Sequence, residues 1–155
     1  MTETESTLNE ETAGIAVLPV VACVLALIGL ADAVYLTVHH YTAVPVPCGL
    51  TGGCETVLTS PYAEFGGIPT AAFGALAYFV AFSLAILTAF GNRAMWTLFG
   101  VHVVIMAAVT SWLVYLQGFV IGAFCQFCLL SAATTFSLLI VFIISKLTGR
   151  SKIAR

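Results

Sequence analysis

Four of the five cysteines in this chain fall into two close pairs, Cys48 with Cys54 and Cys125 with Cys128. In Cys125-Gln126-Phe127-Cys128 the thiols are three residues apart. On a helix such residues face the same way, near enough to close a disulfide with little backbone movement. At a helix start, unpaired N–H groups and the positive dipole end favour thiolate over thiol. The spacing therefore predicts a redox pair opening a helix. Cys48-Gly49-Leu50-Thr51-Gly52-Gly53-Cys54 is a different object. Its three glycines make it pliant, so one cysteine could reach the CxxC while the other meets a soluble partner. Disulfide exchange needs access of a thiolate to a sulfur, hence mobility. Two plainer readings stand beside this one. The loop pair could be a permanent disulfide, or the four cysteines a zinc site, although a five-residue gap lacks the usual short zinc knuckle. Cys23 stands alone in an apolar run and reads as a packing residue.

The elements that must hold these cysteines are membrane helices. Of 155 residues, 61% are hydrophobic and 8% charged, with a mean hydropathy of +1.09, whereas soluble domains carry roughly a quarter charged residues. The net charge of −2 comes with no basic patch, which excludes nucleic acid as a partner. The first apolar run, 14–39, is about 39 Å long as a helix, enough to span with tilt. Ala31-Asp32-Ala33 resembles a signal-peptidase site, but the run is too long for a signal peptide and its leading tail is acidic. Three further spans are expected at 70–90, 95–120 and 125–145, with Pro69 suited to the first turn of the second. The predicted fold is an all-α integral membrane protein. It is a four-transmembrane-helix bundle, residues 14–145, with a cysteine-containing extracytoplasmic loop and a short helix, after Pro61, between helices 1 and 2. Residues 1–13 read as a disordered cytoplasmic tail and 146–155 as a basic one.

Charge placement orients the bundle. All five Lys and Arg residues (Arg93, Lys146, Arg150, Lys152, Arg155) lie in the second connection or the C-terminal tail, which the positive-inside rule assigns to the cytoplasm. Four spans return the N-terminus to that side. Both cysteine pairs then face outward, the compartment where disulfides persist. The implied location is a plasma membrane, with the active site extracytoplasmic.

Within the bundle, small residues read as packing seams: Gly29 and Ala33, Ala71 and Ala75, Ala107 and Ser111. Helical steps from the CxxC lead to Ala132 and Thr135, small enough either to pack a helix closely or to leave room for a flat headgroup. Asp32, ionisable inside a span, is a candidate proton relay by default; a structural hydrogen bond is the alternative. His102 reads as a bundle-facing polar residue. His39 and His40 are adjacent and do not form a pair suited to haem. Two thiol pairs without a soluble redox cofactor imply a membrane electron acceptor, and a lipid-soluble quinone fits.

The ordered set Cys48-x5-Cys54, Val57-Leu58-Thr59-Ser60, Gly67-Ile68-Pro69, Phe73-Gly74 and Cys125-x-x-Cys128 resembles the vitamin K epoxide reductase family. So does the first-span segment Gly29 to Thr37. The likeness covers nearly all of 14–145 and is greatest to the prokaryotic branch, which couples disulfide formation to quinone reduction. It implies that Cys48 receives electrons from a partner, Cys54 shuttles them to Cys125, and Cys128 faces a quinone of ubiquinone, menaquinone or vitamin K type, with no metal. Ser60 matches the Ser/Thr beside the family's site, and Thr70 stands where vertebrate members place an Asn on the quinone carbonyl. Phe73 and Ala132 complete the implied quinone pocket. Ala132 replaces a vertebrate Tyr, which weighs against vitamin K epoxide as natural substrate. Many prokaryotic members carry a fused thioredoxin-like domain. This chain ends at Arg155 without one, so the implied partner is a separate thioredoxin-fold, DsbA-like protein. The other enzymatic reading is a vitamin K epoxide or quinone reductase whose physiological product is the reduced quinone. A channel or assembly factor with structural disulfides is the non-enzymatic one.

Overall fold

Long apolar stretches leave the backbone no partner in a bilayer but itself, and helices satisfy it internally. The computed structural model describes residues 3–49 and 52–151, with side chains described for 17–49, 52–92 and 94–148. Its helices are α1 (Glu3–Thr42), the short α2 (Cys54–Leu58), α3 (Thr70–Ala89), α4 (Arg93–Tyr115) and α5 (Gln126–Ser151). A π-helical segment, Leu116–Ile121, continues α4. Four stretches are long and apolar enough to cross a membrane: Val17–Thr42, Thr70–Ala89, Ala94–Ile121 and Gln126–Thr148.

These four helices close into a bundle in which α1 and α4 each pack against both α3 and α5. Alanines carry the closest approaches: Ala22, Ala26 and Ala33 of α1, with Ala81 and Ala85 of α3, are buried in the core. At Gly29 the Tyr78 ring occupies the place a β-carbon would take. Bulk comes from α4, where Trp96 and Phe99 stack at 4.7 Å, and from Leu138 of α5. Trp96 donates its indole N–H to Ser145 Oγ at 2.8 Å. Cys23 packs at the edge of this core. Of the predicted seams, Gly29 and Ala33 are buried, and so is Ala107, whereas Ser111 is exposed and donates to the Ala107 carbonyl. Leu76, Val104 and Trp112 on the outer faces are exposed, as a lipid-facing surface requires.

Several boundaries differ from the sequence reading. The stretch 3–13, read as a disordered tail, is helical. It holds no Gly or Pro, and a helix nucleated in the apolar run propagates at little cost. At the other end α5 runs through Ser151, while Lys152 and Arg155 of the basic tail lie outside the described residues. The short helix expected after Pro61 instead precedes it, as α2. Beyond Pro61 comes a two-residue hairpin, β1 (Glu64–Phe65) against β2 (Ile68–Pro69). Gly66 and Gly67, at φ of 63° and 82°, supply the two positive angles of its tight turn. His40 at the end of α1 pairs with Glu64 of this hairpin at 3.0 Å, fastening the loop over the helix ends.

Candidate functional site

Cys125 does not begin α5 but caps it. Its carbonyl accepts the N–H of Leu129 at 2.9 Å, the first hydrogen bond of that helix. Its own N–H donates to Gln117 Oε1 at 3.0 Å. The Gln117 carbonyl accepts the Ala123 N–H at 3.1 Å, so one buried residue holds both ends of the turn leading to the CxxC. The Cys128 N–H approaches Cys125 Sγ at 3.4 Å. The helix start therefore directs a donor at Cys125. Cys125 lies just ahead of the span that begins at Gln126. Its thiol is held down at about 7, first by the hydrogen bond with the Cys128 side chain, against burial, which pushes upward. Both are free thiols.

The loop pair meets this turn directly. Cys48 and Cys54 form a disulfide with Cα atoms 5.9 Å apart. Cys54 opens α2, and it shares one buried cluster with Cys125 and Val57, against which Cys48 and Cys128 pack. Cys54 and Cys125 are both fully buried. The approach is close because residue 53 is glycine: a β-carbon there would lie 2.8 Å from the Phe124 carbonyl oxygen. Gln126 Nε2 adds a tie, donating to the Pro47 carbonyl at 3.3 Å. The two pairs, 71 positions apart from Cys54 to Cys125, are thus brought together.

Below the cluster, a cavity of about 340 Å³ opens among α1, α3, α4 and α5. Cys128 is the one cysteine of the four on its wall. Ser60, Thr70, Phe73 and Ala132, the residues expected around a quinone pocket, all border it. Ser60 Oγ donates to the Val57 carbonyl at 2.7 Å, closing the end of α2 rather than starting a helix after Pro61. Thr70 Oγ1 donates to the Tyr62 carbonyl at 3.1 Å, which leaves its oxygen only as an acceptor towards a ligand. Phe73 meets Phe65 of the hairpin edge-on at 6.5 Å. Asp32 also borders the cavity, 7% exposed, and neither carboxylate oxygen has a hydrogen-bond partner among the described residues. His102 donates from Nε2 to the Ala77 carbonyl at 2.9 Å, the bundle-facing role expected of it. Among the described residues no three His, Cys, Asp or Glu side chains are grouped to hold a metal.

Three residues of this site escaped the sequence reading. Gln117 is an amide in an apolar span, and the rule that singled out Asp32 would have found it. Tyr78 lines the cavity and hydrogen-bonds across to α5, donating to the Ser131 carbonyl at 2.7 Å and pairing with Thr135 Oγ1 at 2.7 Å. Thr135, read as merely small, is thereby a partner. Gly53 carried no signal beyond loop flexibility.

Comparison with known proteins accords with this geometry. The model of the vitamin K epoxide reductase family matches residues 20–143. A relative, the thiol-disulfide oxidoreductase LTO1 of Arabidopsis thaliana, is 32% identical over 116 residues, which is 69% of this chain and 31% of the relative. The chain thus spans about a third of the length of that curated protein. Four membrane-crossing helices and paired cysteines fit a multi-pass membrane protein with a redox role. With the match running from the first span to the last, this chain belongs to the vitamin K epoxide reductase family.

Proposed function

We propose that this protein oxidises the dithiol of a thioredoxin-fold, DsbA-like partner and passes two electrons and two protons to a membrane quinone. The observation that carries the reading is the division of labour among the four cysteines. The loop disulfide and the CxxC share one buried cluster, and only Cys128 borders the cavity. The likeness to an Arabidopsis thiol-disulfide oxidoreductase supports the same chemistry. Both pairs stand on the face opposite the connection that carries Arg93, which supports an extracytoplasmic site and cytoplasmic termini.

The exchange steps follow from sulfur chemistry. A partner thiolate attacks Cys48, breaking the Cys48–Cys54 bond and releasing Cys54 as a thiolate. The partner's second thiol then displaces Cys48 and leaves as part of the oxidised partner. Cys54 attacks Cys125 of an oxidised CxxC, releasing Cys128. Cys48 resolves the Cys54–Cys125 bridge, so the loop disulfide is restored and the CxxC is left as a dithiol. Those are the cysteine states of this structure. The remaining step returns the CxxC to a disulfide, its two electrons and two protons converting quinone to quinol. The cavity suits such an acceptor, with walls that are chiefly apolar, a thiol at one side and few polar groups. Asp32, unpartnered on that wall, is placed in this reading to hand over a proton.

The test is turnover of the purified full-length protein with a reduced DsbA-like protein and a short-chain ubiquinone or menaquinone analogue. One quinol should form per partner disulfide. Partner oxidation that proceeds equally without quinone, or no quinol with either analogue, would overturn the proposal.

A further inference from the structure

Gln117 is 4% exposed, sits in the π-helical segment and borders the cavity. Its bond to the CxxC turn decides what it can offer there. The Cys125 backbone N–H is a donor, so the group facing it at 3.0 Å must be the amide oxygen. With Oε1 committed to Cys125, the amide has only N–H donors left for anything bound in the cavity. A π-helical turn is rare, and where one interrupts an α-helix it is frequently at a functional site. Here it carries the one side-chain amide on the cavity wall. Several other polar groups on that wall have no free hydrogen to donate. Thr70 and His102 already spend their hydrogens on backbone carbonyls, and so does Ser60.

We infer that Gln117 binds a carbonyl oxygen of the quinone through its Nε2, held in that orientation by the Cys125 backbone. The inference rests on the quinone reading above and deepens it, naming a residue that joins ligand and dithiol. One rigid amide then ties the carbonyl to the turn bearing the reacting thiols. An apolar ligand of similar size but without a carbonyl would gain nothing from it. Gln117 is a binding and positioning residue in this scheme; the sulfur chemistry stays with the cysteines.

The experiment compares Gln117→Met and Gln117→Leu with the parent in the full-length protein, reading two half-reactions. Loss of one hydrogen bond to a neutral acceptor should raise the quinone KM roughly tenfold. Reduction of the Cys48–Cys54 disulfide by the partner, which does not involve the cavity, should keep its rate. An unchanged quinone KM in either variant overturns the carbonyl role. Equal losses in both half-reactions would mean general damage to the fold, and overturn it as well. A parent protein that reduces no quinone would instead sink the proposed function, so the two failures are distinguishable. If neither variant is recovered folded, the parent itself supplies the test. A naphthalene analogue with C–H in place of both carbonyls should compete with the quinone at least tenfold more weakly than the matching 1,4-naphthoquinone does. Equal competition refutes the role.

Discussion

Gly53 lies against the backbone of Phe124, so close that a β-carbon on residue 53 would stand 2.8 Å from the Phe124 carbonyl oxygen and 3.0 Å from its nitrogen. Backbone cannot rotate aside as a side chain can, so Gly53→Ala must push the loop off the turn. Overpacking of this kind costs about 1–3 kcal/mol. The predicted effect is on transfer between the cysteine pairs, not on reaction with the partner. Stopped-flow oxidation of the partner should keep its first phase, while quinol formation falls at least tenfold. Unaltered quinol formation would mean that the loop need not dock for transfer.

The Cys125 thiol, held at about 7, makes a pH prediction of definite sign. Below that value the thiol is protonated and unreactive; reactivity is gained as pH rises through 7, well before the range near 9.0 of an ordinary cysteine. In the reduced protein, iodoacetamide labelling at Cys125, followed by peptide mapping, should show its midpoint near 7. Cys128→Ala removes the largest cause of the shift, so its midpoint should move upward. A midpoint the same in both proteins would rule out the Cys128 contact as the cause.

Much of this was legible in the sequence, and what was not has a common reason. The spans could be read because an apolar run long enough to cross a bilayer has few alternatives. The CxxC could be read because three-residue spacing is a local property of a helix. Gly53, Gln117 and Tyr78 act across the fold: on the turn before the CxxC, on Cys125 eight residues away, and on α5. No periodicity encodes such contacts. The short helix was displaced from its expected place because Gly66-Gly67 is a turn signal that competes with a helix after Pro61, and the turn won. Asp32, by contrast, was visible from its type alone, and among the described residues its carboxylate has no hydrogen-bond partner.

Sidedness can be tested at two exposed positions. In a background without other cysteines, Pro47→Cys should react with a membrane-impermeant maleimide in intact cells. Asn92→Cys, beside Arg93, should react only after the membrane is opened. Pro47 is on the disulfide loop and Asn92 on the connection between α3 and α4. The reverse labelling pattern would put the cysteines in a reducing compartment.

For Asp32, the conservative replacement separates proton transfer from shape. Asp32→Asn keeps the volume on the cavity wall and removes the exchangeable carboxyl proton. Positioned acid–base groups contribute roughly 10²–10⁴-fold, so kcat for quinone reduction should drop by about a hundredfold, with the partner half-reaction intact. A variant turning over within twofold of the parent would return Asp32 to a passive role.

The order of electron flow is the most demanding prediction, because each exchange releases a particular thiol. If the partner attacks Cys48, the sulfur released is Cys54, the one buried against Cys125. Attack of Cys54 on Cys125 then releases Cys128, the cysteine on the cavity wall. Removing the thiol that resolves a mixed disulfide should stall the sequence there. A partner whose second cysteine is replaced by serine should therefore accumulate a mixed disulfide with Cys48, with Cys54 released. The later step is trapped by Cys48→Ser: once quinone has oxidised the CxxC, Cys54 attacks Cys125, Cys128 is released, and the Cys54–Cys125 bridge has no Cys48 to resolve it. Non-reducing peptide mapping by mass spectrometry tells the two apart. The burial of Cys125 makes a further demand, that no partner should reach it while the loop is docked. The serine-bearing partner found on Cys125 instead of Cys48 would mean that the loop opens and the CxxC meets the partner directly. Cys48–Cys54 would then be a structural staple, and the shuttle would have to be abandoned.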